Sequence, residues 1–400
     1  MDKPKLWTKN FLIVSTANFF LYFTFYLLMV TITTFATERF HASPSEAGLA
    51  SGIFVIGVLL SRIFSGRYID QVGWKKMLYI GFILFLATTF LYFLVNSMVF
   101  LFINRFLNGA AMGIASTATG TIVAKIIPNE RRGEGTGYYA LSLTIAAAIG
   151  PFLGMFITEH SNFYMNFVVC IIFLILSFFA VFFIKIPKLE IVKGHSNNNK
   201  DFSLHNFFEI KAIPISIIAG VIALGYSSIL TFISSYSKEI NLMSVGSLFF
   251  IVYAVFVLLS RPFTGQMFDK KGENFVMYPA IALFALSLFF LSQTHGSLTL
   301  LLAAAILGLG YGTTSSSVQA IAIKVSPKHR IGLATSTNFI FQDLGVGIGP
   351  FILGYFVPLI GYRGLYMMMA AVAVLCIFLY YCLHSKKATS MNDDTESIMA

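Results

Sequence analysis

Three blocks of this sequence occur twice, each time 199 residues apart. Leu59-Leu60-Ser61-Arg62-Ile63-Phe64-Ser65-Gly66 returns as Leu258-Leu259-Ser260-Arg261-Pro262-Phe263-Thr264-Gly265, followed in each copy by an acid, Asp70 or Asp269, and a glycine, Gly73 or Gly272. The same offset carries Lys125, Pro128, Arg131 and Gly133 onto Lys324, Pro327, Arg330 and Gly332. It also carries Ile149-Gly150-Pro151-Phe152 onto Ile348-Gly349-Pro350-Phe351. Composition bias cannot hold three separated blocks in one register. The chain therefore reads as two homologous halves in parallel order, which in a membrane protein places two bundles around a shared central site.

The membrane assignment follows from bulk composition. Hydrophobic residues make up 57% of the chain and charged residues 11%, against about 25% charged in a typical soluble domain. Apolar runs of spanning length, roughly 20 residues each, fall near 11–37, 47–69, 77–95, 99–124, 135–158, 163–186, 212–235, 243–266, 275–293, 297–324, 333–358 and 364–384. The expected fold is thus all-α, with twelve transmembrane helices in two parallel six-helix repeats. The expected domains are 1–186, a linker at 187–211, 212–384, and a polar disordered tail at 385–400.

The net charge of +10 is distributed as a topology signal. Alternate loops hold most of the lysines and arginines, among them Lys75, Lys76, Arg131, Lys270, Lys271 and Lys324, and only Arg39, Lys238 and Arg363 fall on the other side. This puts both termini and the linker in the cytoplasm and leaves no folded basic surface for nucleic acid. The basic, apolar N-terminus reads as a retained first span because its run is too long for a signal peptide and lacks a small-residue cleavage site. Cys170, Cys376 and Cys382 lie in predicted spans and read as packing residues, not as a disulfide framework or metal cluster.

After the second span the chain reads Gly66-Arg67-Tyr68-Ile69-Asp70-Gln71-Val72-Gly73-Trp74-Lys75-Lys76. This resembles motif A of the major facilitator superfamily, and helix count, paired halves and the weaker copy at Gly265 to Gly272 extend the resemblance over the whole chain. Gly66 is expected to permit close approach to a neighbouring helix, Gly73 a tight turn, and Lys75 with Lys76 a cytoplasmic anchor. The resemblance implies that Asp70, with Asp269 as its counterpart, belongs to a latch between the halves. Gln71 and Trp74 depart from the motif, which usually has basic residues there.

Arg105-Phe106-Leu107-Asn108-Gly109 resembles motif B, whose arginine is linked to proton handling in proton-coupled members; the alternative is an arginine bonded to backbone carbonyls. Gly150-Pro151-Phe152-Leu153-Gly154 resembles motif C of exporters that exchange substrate for protons. Here the proline bends the helix and the glycines are expected to press it against a helix of the other half. Gly345, Gly349 and Pro350 repeat the device, and a kink without directional meaning is the alternative.

Asp343 is the one acid deep within a predicted span, so a functional role is its default reading. At about 1.5 Å per residue it lies within roughly one turn of the depth of Arg62, with Arg261 as the symmetric partner. Proton coupling, a structural pair with one arginine, and direct substrate contact all remain open.

Candidate cavity residues are Asn18, Tyr22 and Tyr26 in the first span, Asn104 and Asn108 in the fourth, Tyr226 and Ser227 in the seventh, and Tyr311, Thr314 and Gln319 in the tenth. They are rich in aromatics and contain no acid, which suits an amphipathic or weakly cationic organic molecule. The chain lacks H-E-x-x-H, G-x-S-x-G and the phosphate loop G-x-x-x-x-G-K-[ST], so neither enzyme nor ATP-driven pump is expected. The resemblance implies a proton-coupled exporter in the cell membrane, a monomer whose partners are a small molecule, protons and the lipid bilayer, with no cofactor or metal. A transporter of a specific metabolite such as a metallophore or sugar, a lipid flippase, and a non-transporting sensor are the alternatives.

Overall fold

Helix starts and stops follow local signals in the sequence. The computed structural model describes residues 4–128, 131–184, 208–327 and 330–386. Eleven long helices account for most of them: α1 (Lys9–Phe40), α2 (Pro44–Val72), α3 (Trp74–Phe90), α4 (Met98–Ile126), α5 (Arg132–His160), α6 (Tyr164–Phe182), α7 (Ile213–Glu239), α8 (Met243–Lys271), α9 (Glu273–Ser292), α10 (Ser297–Lys324) and α11 (Ile331–Tyr380). No strand occurs among the described residues. Thr8 and Ser97 accept from the N–H groups of Phe11 and Phe100 at 3.3 Å, capping α1 and α4. Ser43 and Glu46 form a capping box in front of α2, with Pro44 at its first position. Gly73 (φ 92°) separates α2 from α3 and Gly272 (φ 83°) separates α8 from α9, a backbone region that disfavours any side chain with a Cβ.

The runs expected at 333–358 and 364–384 lie on one element, α11. Its 50 residues would measure about 75 Å if straight, more than twice the ~30 Å hydrocarbon core of a bilayer. Gly361, at φ 66° and ψ 175°, breaks the helical backbone three residues after Pro358.

The chain divides into two units, Met1–Lys200 and Asp201–Ala400. In the first, α1 packs on α2, α4, α5 and α6, α4 on α2 and α3, and α3 on α6. In the second, α7 packs on α8, α10 and α11, α10 on α8 and α9, and α9 on α11. Small residues set the close crossings. A Cβ added at Gly109 would collide with the carbonyl of Phe54 on α2, and one at Gly308, 199 residues on, with that of Tyr253 on α8.

Exposed large apolar side chains continue along the outer helices, including Ile83 and Leu84 on α3, Leu176 and Phe179 on α6, and Leu375 and Phe378 on α11. A soluble monomer rarely carries so much contiguous apolar surface. All eleven helices are long and apolar enough to cross a membrane. The protein is a multi-pass membrane protein.

The linker proves shorter than apolarity alone indicates. Residues 187–207 lie outside the described residues, as does the tail from 387, but Phe208 to Lys211 fold onto the second unit. The buried Glu209 pairs with Arg330 at 2.6 Å, its N–H donates to Thr337 Oγ1 at 2.9 Å, and Arg330 also donates to the Phe208 carbonyl at 3.2 Å. Polar contacts hold this stretch, so hydropathy could not reveal it.

Candidate functional site

In the first unit the polar residues of α1, α4 and α5 form one network. Asn18 Nδ2 donates to Ser142 Oγ at 2.9 Å, and Asn18 Oδ1 accepts from Tyr139 at 2.8 Å and Thr119 at 3.3 Å. Tyr139 also donates to Thr119 at 3.1 Å. Beside α1, Arg62 on α2 donates to the Tyr22 hydroxyl at 3.1 Å. Tyr26 is half-buried, and its Cβ lies against Gly150.

Arg105 is wholly buried. Its Nε donates to the carbonyl of Ala50 at 2.8 Å, Nη2 to that of Ser51 at 3.3 Å and Nη1 to the Tyr92 hydroxyl at 3.3 Å, while the guanidinium lies 4.5 Å from the Phe54 ring centroid. A buried charge requires such saturation. Carbonyls of α2 here take the hydrogen bonds a coupling carboxylate would take.

Asn104 and Asn108, expected to face a cavity, are fully buried inside the unit. Asn108 donates to Thr88 at 2.8 Å and Thr89 at 3.2 Å and accepts from Tyr92 at 3.1 Å, because α4 turns this face to α3. Neither amide atom of Asn104 has a hydrogen-bond partner.

The glycines of the α5 motif also face elsewhere than expected. Gly150 lies against Phe23, Tyr26 and Leu27, and Gly154 against Leu27 and Thr31, all on α1 of the same unit. Gly345 and Gly349 make the matching approach from α11 to Gly220, Leu224 and Ser227 on α7. Pro151 and Pro350 are buried within continuous helix beside these seams. Gly66 and Gly265 do not show the expected close approach, since a Cβ at either would meet nothing within 4 Å. Asp70 lies on the last turn of α2 with its side chain outside the described structure, and Asp269 is exposed. Lys75 donates to the Ile184 carbonyl at 3.1 Å, and Lys76 is exposed.

In the second unit an aromatic group occupies the space between α7, α8, α9 and α10. Tyr226 and Tyr311 stack at 3.9 Å with 8° between planes, Tyr253 lies 6.2 Å from Tyr226, and Phe284 lies 5.8 Å from Tyr311. Beside it a narrow crevice is lined by Ala223 on α7, Tyr311, Thr314 and Ser315 on α10, and Gln342 on α11. Asp343, the next residue, is half-buried, whereas Arg261 is exposed. Ser227 is buried against α11, and Gln319 is half-buried. Cys170 and Cys376 are buried packing residues, but Cys382 is exposed.

Sequence reasoning missed Tyr139, Thr119 and Ser142 around Asn18, Tyr253 and Phe284 around the stack, and a charged cluster at the start of α9. There Glu273 Oε2 lies 2.6 Å from Lys324 Nζ and Oε1 lies 2.8 Å from His384 Nε2. The repeat offset was the available signal, because it places Glu273 on Trp74 and Lys324 on Lys125.

Several known proteins share this arrangement. An uncharacterized MFS-type transporter of Methanocaldococcus jannaschii is 24% identical over 89% of this chain and 97% of its own. Multidrug resistance protein 2 of Bacillus subtilis is 24% identical over 86% of this chain and 88% of its own, and the quinolone resistance protein NorA of Staphylococcus aureus 23% over 84% and 87%. A POT family transporter crystallised with 5-aminolevulinic acid superposes with a TM-score of 0.79 at 14% identity, covering 94% of this chain and 96% of that one. The family model described as Major Facilitator Superfamily matches residues 14–350 and 282–397. With that match spanning nearly all of an all-helical, membrane-crossing chain, the protein belongs to the Major Facilitator Superfamily.

Proposed function

We propose that the protein is a secondary transporter that exports a small, amphipathic organic molecule in exchange for protons by alternating access. Two six-helix repeats supply twelve spans, with the break at Gly361 dividing the last two, and both termini are cytoplasmic. Its multidrug and quinolone resistance relatives support the efflux assignment. The Tyr226–Tyr311 stack and crevice, apolar and aromatic with a few hydroxyls, suit a flat amphipathic solute.

The observation that carries the reading is the placement of Asp343, half-buried at mid-helix and next in sequence to a crevice-lining residue. Burial disfavours an ionised carboxylate and a nearby cation favours it, so a group at such a position binds a proton in one state and releases it in another. Arg105, saturated by carbonyls, braces α4 on α2 and keeps its charge throughout.

The test uses the full chain in proteoliposomes with ethidium as the transported cation. Asp343→Asn keeps size and hydrogen bonding while removing titration. It should retain ethidium exchange but lose accumulation driven by a pH gradient. Undiminished gradient-driven accumulation refutes proton coupling at this residue, and loss of folded protein favours a structural ion pair.

A further inference from the structure

At the end of the second unit that carries the α8–α9 turn, three elements meet at one carboxylate. Glu273, at the first position of α9, is only 7% exposed. Lys324 at the end of α10 holds one oxygen at 2.6 Å, and His384, just beyond α11, holds the other at 2.8 Å. Tyr380, one turn before His384, donates to Asn274 at 2.8 Å, and its ring lies 5.3 Å from that of Tyr278. The last span is thereby tied by side chains to the start of α9.

The equivalent place in the first unit is built differently. Trp74 stands where Glu273 does, Lys125 lies 4.9 Å over its ring, and Lys185 occupies the position of His384 in sequence. An ammonium over an indole is indifferent to pH near neutrality. A carboxylate shared by an ammonium and an imidazole is not, because histidine is the side chain whose charge changes in the physiological range.

We propose that Glu273, Lys324 and His384 form a pH-responsive clamp on the last span, with no counterpart in the first unit's repeat. Protonated His384 sets a second cation on Glu273, so the clamp tightens as pH falls and loosens as it rises. The charged groups around His384 are those two partners and, on its own segment, Lys386, with Tyr380 as a further titratable group. α7 also packs against the segment and brings no Asp, Glu, Lys, Arg or His before Lys238 at its far end, and Lys211 precedes it. Within the transport cycle the clamp regulates the pace of unit 2 at this end, separately from any proton carried by Asp343.

Amide hydrogen exchange on the full chain in lipid nanodiscs tests the clamp without a substrate. After correction for intrinsic exchange, amides 380–386 should open about tenfold more often at pH 8.5 than at pH 5.5, the response expected for roughly one unit of coupling. His384→Gln should exchange rapidly at both pH values, and His384→Arg, permanently cationic, slowly at both. The end of α6 near Ile184 should show no pH response. A flat wild-type profile, or a His384→Gln profile with the wild-type slope, overturns the clamp. If His384→Gln fails to fold, a wild-type profile as flat as that of His384→Arg overturns it equally.

Discussion

The starts of α3 and α9 occupy equivalent places in the repeat and are held by different chemistry. In the first unit Trp74 offers a ring to Lys125, and Lys75 reaches the Ile184 carbonyl. In the second, Glu273 offers a carboxylate to Lys324 and His384, and Asn274 takes the Tyr380 hydroxyl. The lysine is shared, and its partner is what changed. A fold position that needs a cation anchored at a helix end accepts a π face or a carboxylate, and the choice decides whether the anchor responds to salt and pH. Unit 1 carries an anchor of fixed strength and unit 2 an adjustable one.

The largest effect should come from Glu273→Gln, which leaves Lys324 and His384 without their anion. A loss of about 2–4 kcal/mol is expected from breaking a largely buried pair, read as a lower apparent Tm in detergent. A change no larger than that of Trp74→Leu would break the comparison.

The glycine seams give the next contrast. An alanine at Gly345 would press on the Gly220 backbone carbonyl, which cannot rotate away, whereas one at Gly150 meets Phe23 O and Tyr26 Cβ at 3.0 Å. Gly345→Ala should cost about 2–3 kcal/mol and Gly150→Ala about 1 kcal/mol. Equal shifts in unfolding temperature would mean that α11 re-seats on α7.

Removing the shared lysine sharpens the comparison further. Lys324→Met should cost about 1–2 kcal/mol, the range of a charge-assisted hydrogen bond, and Lys125→Met about 0.5–1 kcal/mol for a cation–π contact. Raising salt to 1 M should shrink the first difference more than the second, since Lys324 is 63% exposed. The smallest difference between units is expected at the turns: Gly73→Ala and Gly272→Ala should each cost about 1 kcal/mol, because both residues sit at positive φ. Unequal costs in paired thermal melts would show that the two turns are not equivalent.

Much of this architecture was legible in the sequence. Composition required a membrane protein, the 199-residue offset required matching halves, and Gly73 and Gly272 marked turns that the backbone does make at positive φ. These are local or one-dimensional properties: apolar run length, register, and the steric freedom of one residue. Tertiary structure alone decided which face each helix turns to which neighbour. It turned Gly150 and Gly154 toward α1, Asn108 toward α3, and Arg105 toward the carbonyls of α2. It brought His384 to Glu273 across 111 residues and drew Glu209 out of the linker onto Arg330. In a soluble helix the polar stripe announces the outer face. Helices that are apolar on every side carry no such stripe, so their facing is fixed by the fit of neighbouring small residues and by the few polar groups that must find partners away from water.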